Sequence, residues 1–303
     1  MKLTAYTFMG MLLLGFLNFS CGKKNGGISG ANDNTIDSTR LEELFVWVEN
    51  ARIRKEADLN AEVITEIKGG EKVTLTGEIS TNKIKIKLRG VDFEDVWVKV
   101  TTSTGKEGWV FKGMLTDDET QATAMNDFLI VPGIGVGQVR IGNTQKDVEK
   151  IFGEQFITSG IIYDKEFDWP GFYIFKNSPH ELQCAVDEKT GNVFNIIIRQ
   201  PGGYWATAEG VKIGTKLDDL VKMNGKPISF SGFGYVYAGT LRSFNKGKLS
   251  IYQDNLGIVI GEPDNLEGLD EFMGDKDCST SNKKILDKGV KVAEINIFAG
   301  AIL

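Results

Sequence analysis

The feature that most constrains the fold is a stretch that occurs twice. Val139-Arg140-Ile141-Gly142-Asn143-Thr144-Gln145-Lys146-Asp147-Val148-Glu149-Lys150-Ile151-Phe152-Gly153 aligns without a gap on Val211-Lys212-Ile213-Gly214-Thr215-Lys216-Leu217-Asp218-Asp219-Leu220-Val221-Lys222-Met223-Asn224-Gly225, at a constant offset of 72 residues. Agreement of pattern over that length at one offset marks a repeated supersecondary unit. Each copy reads as an extended V-x-I-G segment leading into a helix of two to three turns. Val148, Ile151 and Phe152 in the first copy, and Leu217, Leu220 and Val221 in the second, recur at helical spacing. Asn143 and Thr215 are the expected caps of these helices, and Gly153 and Gly225 stand where a left-handed stop costs least.

Strand-like runs follow each helix. The first copy offers 172–175, 182–186 and 193–198 as a meander; the second offers 241–244, 249–252, 257–260 and a final strand over 292–298. Matching Ile196 with Ile295 gives an offset of 99, so the second copy carries an insertion, placed at 262–289. It is acidic and contains Cys278, but has no EF-hand spacing, and reads as a surface loop rather than a calcium site. The repeats span about 135–204 and 207–303, within a region that starts at 128.

A different pattern occupies 44–116. Short apolar stretches at 46–51, 63–67, 72–75, 83–88, 97–100 and 108–111 alternate with turn chemistry at Gly69-Gly70, Asn82, Gly90 and Thr104-Gly105. Many short strands at such spacing predict a small barrel. Ile84, Ile86 and Leu88 alternate with Lys83, Lys85, Lys87 and Arg89, which predicts an extended hairpin with one aliphatic and one solvated basic side. The polar stretch 117–127 reads as a connector with one or two helical turns. The expected fold class is therefore mainly β: a small barrel, then an α+β tandem repeat with short helices packed on an antiparallel sheet.

Ala51-Arg52-Ile53-Arg54, Glu62-Val63-Ile64, Gly70-Glu71-Lys72-Val73, Trp97-Val98-Lys99-Val100 and Gly105-Lys106-Glu107-Gly108-Trp109-Val110 resemble, in order and spacing, the landmarks of the bacterial SH3 domain. The chain departs from that family at Ala57, where Pro is usual, and in the long segment between Gly77 and Trp97. The resemblance implies a non-catalytic binding module. Phe93, Trp97 and Trp109 are the candidates for bordering a peptide groove, against the alternative that they fill the barrel core. The G-V-x-I-G-x-x-x-x-D-h-x-K-h-x-G pattern over 135–303, with h apolar, resembles the repeat of the β-lactamase-inhibitor-like and outer-membrane-assembly small lipoprotein families. That resemblance implies protein binding by a sheet face or edge. Trp169, Phe172, Tyr173, Tyr204, Trp205, Phe233, Tyr235 and Tyr237 are the candidate aromatic face, and ordinary packing is the alternative for each.

The amino-terminal end bears on location. Lys2 precedes an almost wholly apolar run, 3–17, shorter than the roughly twenty residues of a membrane-spanning helix. Leu17-Asn18-Phe19-Ser20-Cys21-Gly22 resembles a bacterial lipobox, with Asn18 where the strict pattern has Leu. The resemblance implies a signal peptide over 1–20 and lipidation of Cys21, palmitate among the acyl chains, which would tether the protein to a membrane. Gly22 in place of Asp favours the outer membrane over retention at the inner one; the expected location is the cell envelope, at the outer membrane or in the periplasm. Residues 21–43 read as a flexible tether, because a polar, Gly-rich stretch buries too little to offset its ordering entropy.

Composition narrows the function classes. The formal net charge of −6 becomes −7 once Lys2 leaves with the signal peptide, which argues against nucleic acid as a partner. With one histidine, His180, read as a solvated side chain in a hairpin turn, and three cysteines, nucleophilic triads and zinc sites find few of their usual residues. Asp218-Asp219 reads as solvated charge on a helix. Gly133-Ile134-Gly135-Val136-Gly137 lacks the spacing of a phosphate loop, and Pro132 interrupts the strand that should precede it. Cys184 and Cys278 are the two cysteines left to form a disulfide, a pairing sequence alone does not set. No metal and no cofactor are expected. The expected function is a non-catalytic, lipid-anchored envelope protein that binds or scaffolds proteins; the alternative is recognition of a peptidoglycan peptide by the SH3-like domain.

Overall fold

The computed structural model describes residues 42–263 and 265–300. The expected signal peptide, the expected lipidation site Cys21 and the expected tether up to Leu41 lie outside the described residues. Among the described residues no helix is long and apolar enough to cross a membrane.

The first strands follow from alternation. In β1 (Glu43–Val46) Leu44 and Val46 are buried, and in β2 (Asn50–Arg54) Ala51 and Ile53 are buried while Asn50 and Arg52 are exposed. β3 (Val63–Lys68), β4 (Lys72–Ile79), β5 (Ile84–Leu88), β6 (Val91–Asp95), β7 (Trp97–Thr102), β8 (Glu107–Phe111) and β9 (Leu115–Thr116) complete the region. Seven of the nine form one antiparallel sheet, in the order β3-β2-β8-β7-β4-β1-β9. Val46, Ala51, Ile53, Val73, Val98, Val100 and Val110 line its interior. β5 and β6 pair only with each other, as the long 77–97 segment predicted. Lys85 and Lys87 lie on the hairpin's exposed side, within 3.7 Å of Asp92. Ile84, Ile86 and Leu88 pack against the core. Arg89 does not join the solvated side: it is buried, in a turn with φ 46°.

Residues 117–127 contain α1 (Glu119–Met125), capped by Asp118, whose side chain accepts from Gln121 N at 3.0 Å. Ala122, Ala124 and Met125 are buried, and Asn126 donates to Trp47 O at 3.2 Å. The stretch is thus a wedge in a core that runs unbroken from Leu44 to Ile297.

Then come β10 (Leu129–Val131), β11 (Gly135–Val136), β12 (Val139–Arg140), α2 (Gln145–Phe152), β13 (Ile157–Asp164), β14 (Phe167–Ile174), β15 (Leu182–Val186) and β16 (Val193–Ile198). The second copy supplies β17 (Ala206–Thr207), α3 (Leu217–Asn224), β18 (Ser229–Ser231), β19 (Leu241–Ser243), β20 (Leu256–Ile260), β21 (Asp277–Ser279) and β22 (Val292–Phe298). A six-stranded antiparallel sheet, β13-β14-β15-β16-β22-β20, joins the copies through β16 and β22, where Ile197 faces Asn296. These two positions differ by the repeat's own offset of 99, so an approximate two-fold axis passes between them. Val148 and Phe152 of α2 and Leu220 of α3 pack in the cluster that contains Ile196, Ile198, Ile295 and Ile297. The architecture is mainly β, with short helices on an antiparallel sheet.

The link between the glycine turn and the returning strand is the same in both copies. Gly142 N donates to Val193 O and Gly214 N to Val292 O, both at 2.8 Å; Val193 N donates to Asn143 O and Val292 N to Thr215 O, again at 2.8 Å. Gly142 and Gly214 hold φ of 93° and 85°, which only glycine adopts cheaply.

Some expectations fail for definable reasons. Asn143 and Thr215 do not cap the helices; their side chains turn back to accept from Arg140 N and Lys212 N, at 2.7 and 3.0 Å. The caps are one residue later. Thr144 forms a reciprocal capping box with Asp147, and Lys216 has no side-chain cap bond. Gly225 is the left-handed stop, but Gly153, with ψ 141°, continues into a 3-10 turn, Glu154–Phe156. The run 249–252 lies in a 3-10 helix, Lys248–Tyr252, satisfied by local bonds such as Ser250 N to Gly247 O at 3.1 Å. The insertion is no plain surface loop. Leu269, Phe272, Cys278 and Ile285 are buried with Phe230 and Phe233 in a second core, and β21 pairs with β18.

Candidate functional site

The groove at the barrel grows out of strand alternation. With Ala51 and Ile53 turned inward, β2 must send Asn50, Arg52 and Arg54 to its other face. Trp97 and Phe111, opposite each other on β7 and β8, have ring centroids 6.3 Å apart and are almost wholly buried. Gly108 allows β8 to lie against β2, since a Cβ there would fall 2.6 Å from Arg54 O. Leu59, Glu66, Ile86 and Met114 complete a cleft of about 360 Å³.

Its chemistry is that of an acceptor-bearing ligand over an apolar floor. Arg52 Nε pairs with Glu66 at 2.9 Å, both exposed, an arrangement of small worth that a ligand carboxylate can replace. Arg54 uses one terminal nitrogen on Ala61 O at 2.7 Å, leaving further guanidinium donors for a planar acceptor. The buried indole N–H of Trp97 has no hydrogen-bond partner.

The three proposed groove residues do not share one groove. Trp97 lines this cleft; Phe93 lines another, of about 420 Å³, with Trp47 and Phe156 at 5.4 and 6.0 Å between ring centroids. Trp109 is half-buried, paired across strands with Arg54 and Lys99. Arg52 and Arg54 went unassigned in the sequence reading, although their alternation with Ala51 and Ile53 was the available signal.

The eight aromatic candidates of the repeat do not make one face. Phe172 belongs to the main core, Trp205 is buried with its indole donating to His180 O at 3.1 Å, and Phe233 lies in the insertion's core. Tyr204 is exposed. Trp169 and Tyr173 are half-buried beside Ile162, while Tyr235 and Tyr237 pair with each other at 6.3 Å. Alternation sorts rings between opposite sheet faces, and the insertion covers one that would otherwise be open. Cys184 and Cys278 are both free and buried, one in each core, so no disulfide joins them. Burial raises the pKa of both thiols. Asp218 and Asp219 lie on the surface of α3, both bonded to Lys222.

A buried charged cluster joins the barrel to the repeat. Glu49 Oε1 accepts from Arg89 Nε at 2.9 Å and from His180 Nε2 at 2.8 Å. The guanidinium lies 4.9 to 5.8 Å from the ring centroids of Phe175, Phe128 and Trp47. Gly90 permits the approach, because a Cβ there would fall 2.1 Å from Lys176 O. His180 is therefore not solvated: its turn is pressed under Phe128, Tyr204 and Trp205, and the ring is buried. Burial of Glu49 works against its charge, but the His180 hydrogen bond and the Arg89 charge prevail and lower its pKa to about 2. Burial lowers the pKa of Arg89, against the pull of Glu49. Nothing in the local sequence of Glu49 or His180 marked them, since their meeting is long-range. Among the described residues no group of three or more His, Cys, Asp or Glu is placed to hold a metal.

The barrel, with a cleft on its flank, has the architecture of a small antiparallel β domain. Residues 49–116 match the bacterial SH3 domain family. Among solved structures, the crystal structure of the uncharacterized protein yfeY from Escherichia coli aligns with 55% of this chain and 98% of its own, at 17% identity and a TM-score of 0.33, a likeness too loose to carry an argument. No curated protein matches the sequence.

Proposed function

We propose that the protein is a lipid-anchored, non-catalytic module of the cell envelope whose SH3 domain binds a carboxylate-bearing peptide, the stem peptide of peptidoglycan being the ligand class. The observation that carries this reading is the groove itself: Arg52 and Arg54 stand beside an apolar floor containing Trp97 and Phe111. Bacterial SH3 domains commonly serve as cell-wall binding modules, and the match over residues 49–116 supports the same use here. The competing reading, protein binding by an aromatic face on the repeat, has less support because Phe172, Trp205 and Phe233 are buried, leaving Trp169, Tyr173, Tyr204, Tyr235 and Tyr237 as its accessible rings.

Sedimentation of the full chain with purified sacculi tests the reading. Retention should fall about tenfold in an R52E/R54E double variant, the loss of two charge-assisted contacts. Retention that ignores the double variant, or no retention at all, removes the wall reading. Lipidation is tested separately: the native protein should partition into the detergent phase, and Cys21→Ser should abolish that.

A further inference from the structure

The six-stranded sheet ends differently at its two edges. At β20 the edge is covered: Thr240 bridges to Val259, and Ile260 N donates to Gly239 O at 2.9 Å. At the other edge β13 has β14 as its single strand neighbour among the described residues. An open edge is a template for another strand, and proteins ordinarily blunt it with charge, proline, a bulge or shortness. The barrel does so, since β9 has two residues and β3 carries Glu66 and Lys68. β13 does not. Its eight residues pair with β14 without a register shift, and from Ile157 to Tyr163 it has neither a charge nor a proline.

Which of its peptide groups face outward follows from the alternation of an antiparallel pair. Phe175 N donates to Phe156 O at 3.0 Å, so Thr158, Gly160, Ile162 and Asp164 exchange bonds with β14. Pro170, which has no N–H, accordingly stands opposite Ile161. Ile157, Ser159, Ile161 and Tyr163 present their peptide groups to the open side. Ile157 N donates locally to Glu154 O, whereas the N–H groups of Ser159, Ile161 and Tyr163 have no partner among the described residues. Ile161 O accepts from the Tyr173 hydroxyl at 2.7 Å and keeps a second lone pair. The side chains of Ile161 and Tyr163 are 45% and 63% exposed.

The three free donors are spaced evenly about Ile161, which makes this edge complementary to itself. An antiparallel mate whose two-fold axis passes through Ile161 sets Ile161 opposite Ile161 and Ser159 opposite Tyr163, and each such pair exchanges two bonds. Asp164 then faces Thr158 and Lys165 faces Ile157, so no like charges are opposed. An axis at Gly160 would instead call on Ile157, whose N–H is already engaged. We propose that β13 is a dimerisation edge, on which a second copy of this chain adds its own β13 so that the two six-stranded sheets become one. The exposed Ile161 and Tyr163 side chains are covered in the process.

Disulfide crosslinking reads the register directly. In the full chain carrying Cys21→Ser, whose remaining Cys184 and Cys278 are buried, Ile161→Cys should give a covalent dimer under mild oxidation. Facing Cα atoms about 5.5 Å apart are within disulfide reach. Tyr163→Cys should not crosslink, because its counterpart lies four residues along the partner strand, about 13 Å away. Sedimentation equilibrium of the Cys21→Ser chain should show a monomer–dimer equilibrium that Ile161→Lys weakens at least about tenfold, since two ammonium groups then meet at the axis. Ile251→Lys, at an apolar side chain 72% exposed and outside this edge, should change nothing. A chain still monomeric at about 1 mM would leave the edge to a different strand and overturn the proposal. Equal crosslinking at positions 161 and 163, a dimer indifferent to Ile161→Lys, or an equal loss with Ile251→Lys would each do the same.

Discussion

The two copies of the repeat begin alike and diverge in the middle, and the divergence shows which part of the unit carries the fold. The glycine turn, the short helix and the returning strand keep their mutual hydrogen bonds at 2.8 Å in both copies. Between helix and returning strand, the first copy builds a long hairpin and an inner strand, β13 to β15. The second breaks its equivalent into β18, β19 and β20, and its insertion supplies β21. The conserved elements pack in the shared core, so their geometry is fixed by neighbours on every side. The variable ones lie at sheet ends, where another strand can be added at little cost. The copies also differ in attachment, since His180 of the first copy bonds to Glu49 of the barrel, which also holds Arg89.

The largest expected effect tests that attachment. Glu49→Ala leaves the Arg89 guanidinium buried without its carboxylate and should destabilise the chain by about 3–5 kcal/mol in urea denaturation. A loss within about 0.5 kcal/mol, the range of ordinary surface changes, would mean that the barrel and the first copy do not depend on the cluster. Phe272→Ala, in the insertion, should cost about 3–5 kcal/mol, as much as Phe172→Ala in the first copy. Were the insertion merely decorative, Phe272→Ala would be nearly silent.

Acid should expose the same attachment. The folded pKa of Glu49, about 2, lies below its ordinary value of 4.5, so the associated stability is full above the higher figure and disappears as pH falls through the lower. The shift corresponds to roughly 2–3 kcal/mol once the opposing burial of Arg89 is allowed for. Urea midpoints of the native chain and Glu49→Gln, compared between neutral pH and pH of about 3, should converge on acidification. The smallest effects separate the two helix starts. Thr144→Ala should cost about 1 kcal/mol by removing the capping box, whereas Lys216→Ser should gain a few tenths to about 1 kcal/mol, because the second helix lacks a side-chain cap. Equal responses at the two sites would erase the distinction between the caps.

Legibility in the sequence followed how local each signal was. The barrel strands were readable because Ala51, Ile53, Val98, Val100 and Val110 alternate with polar or outward-facing neighbours. The helices were readable from Val148, Phe152 and Leu220. The caps were misplaced by one residue because Asn143 and Thr215 offer the right side chains but spend them on the preceding turn. β13 escaped notice since only Ile162 of its eight residues is buried, leaving no alternation to read. For the site, Trp97 was found and Arg52 and Arg54 were not, because their significance lies in what the inserted hairpin places opposite them.

The order of residues alone determined the repeat, its offset, the barrel pattern and the mainly β class, since turn chemistry, alternation and helical spacing are properties of short segments. Only the tertiary structure decided that Arg89, Glu49 and His180 meet, that the insertion carries a core, and which aromatic rings are buried. Those outcomes depend on contacts between residues far apart in the chain, where burial and hydrogen bonding are properties of the assembled whole.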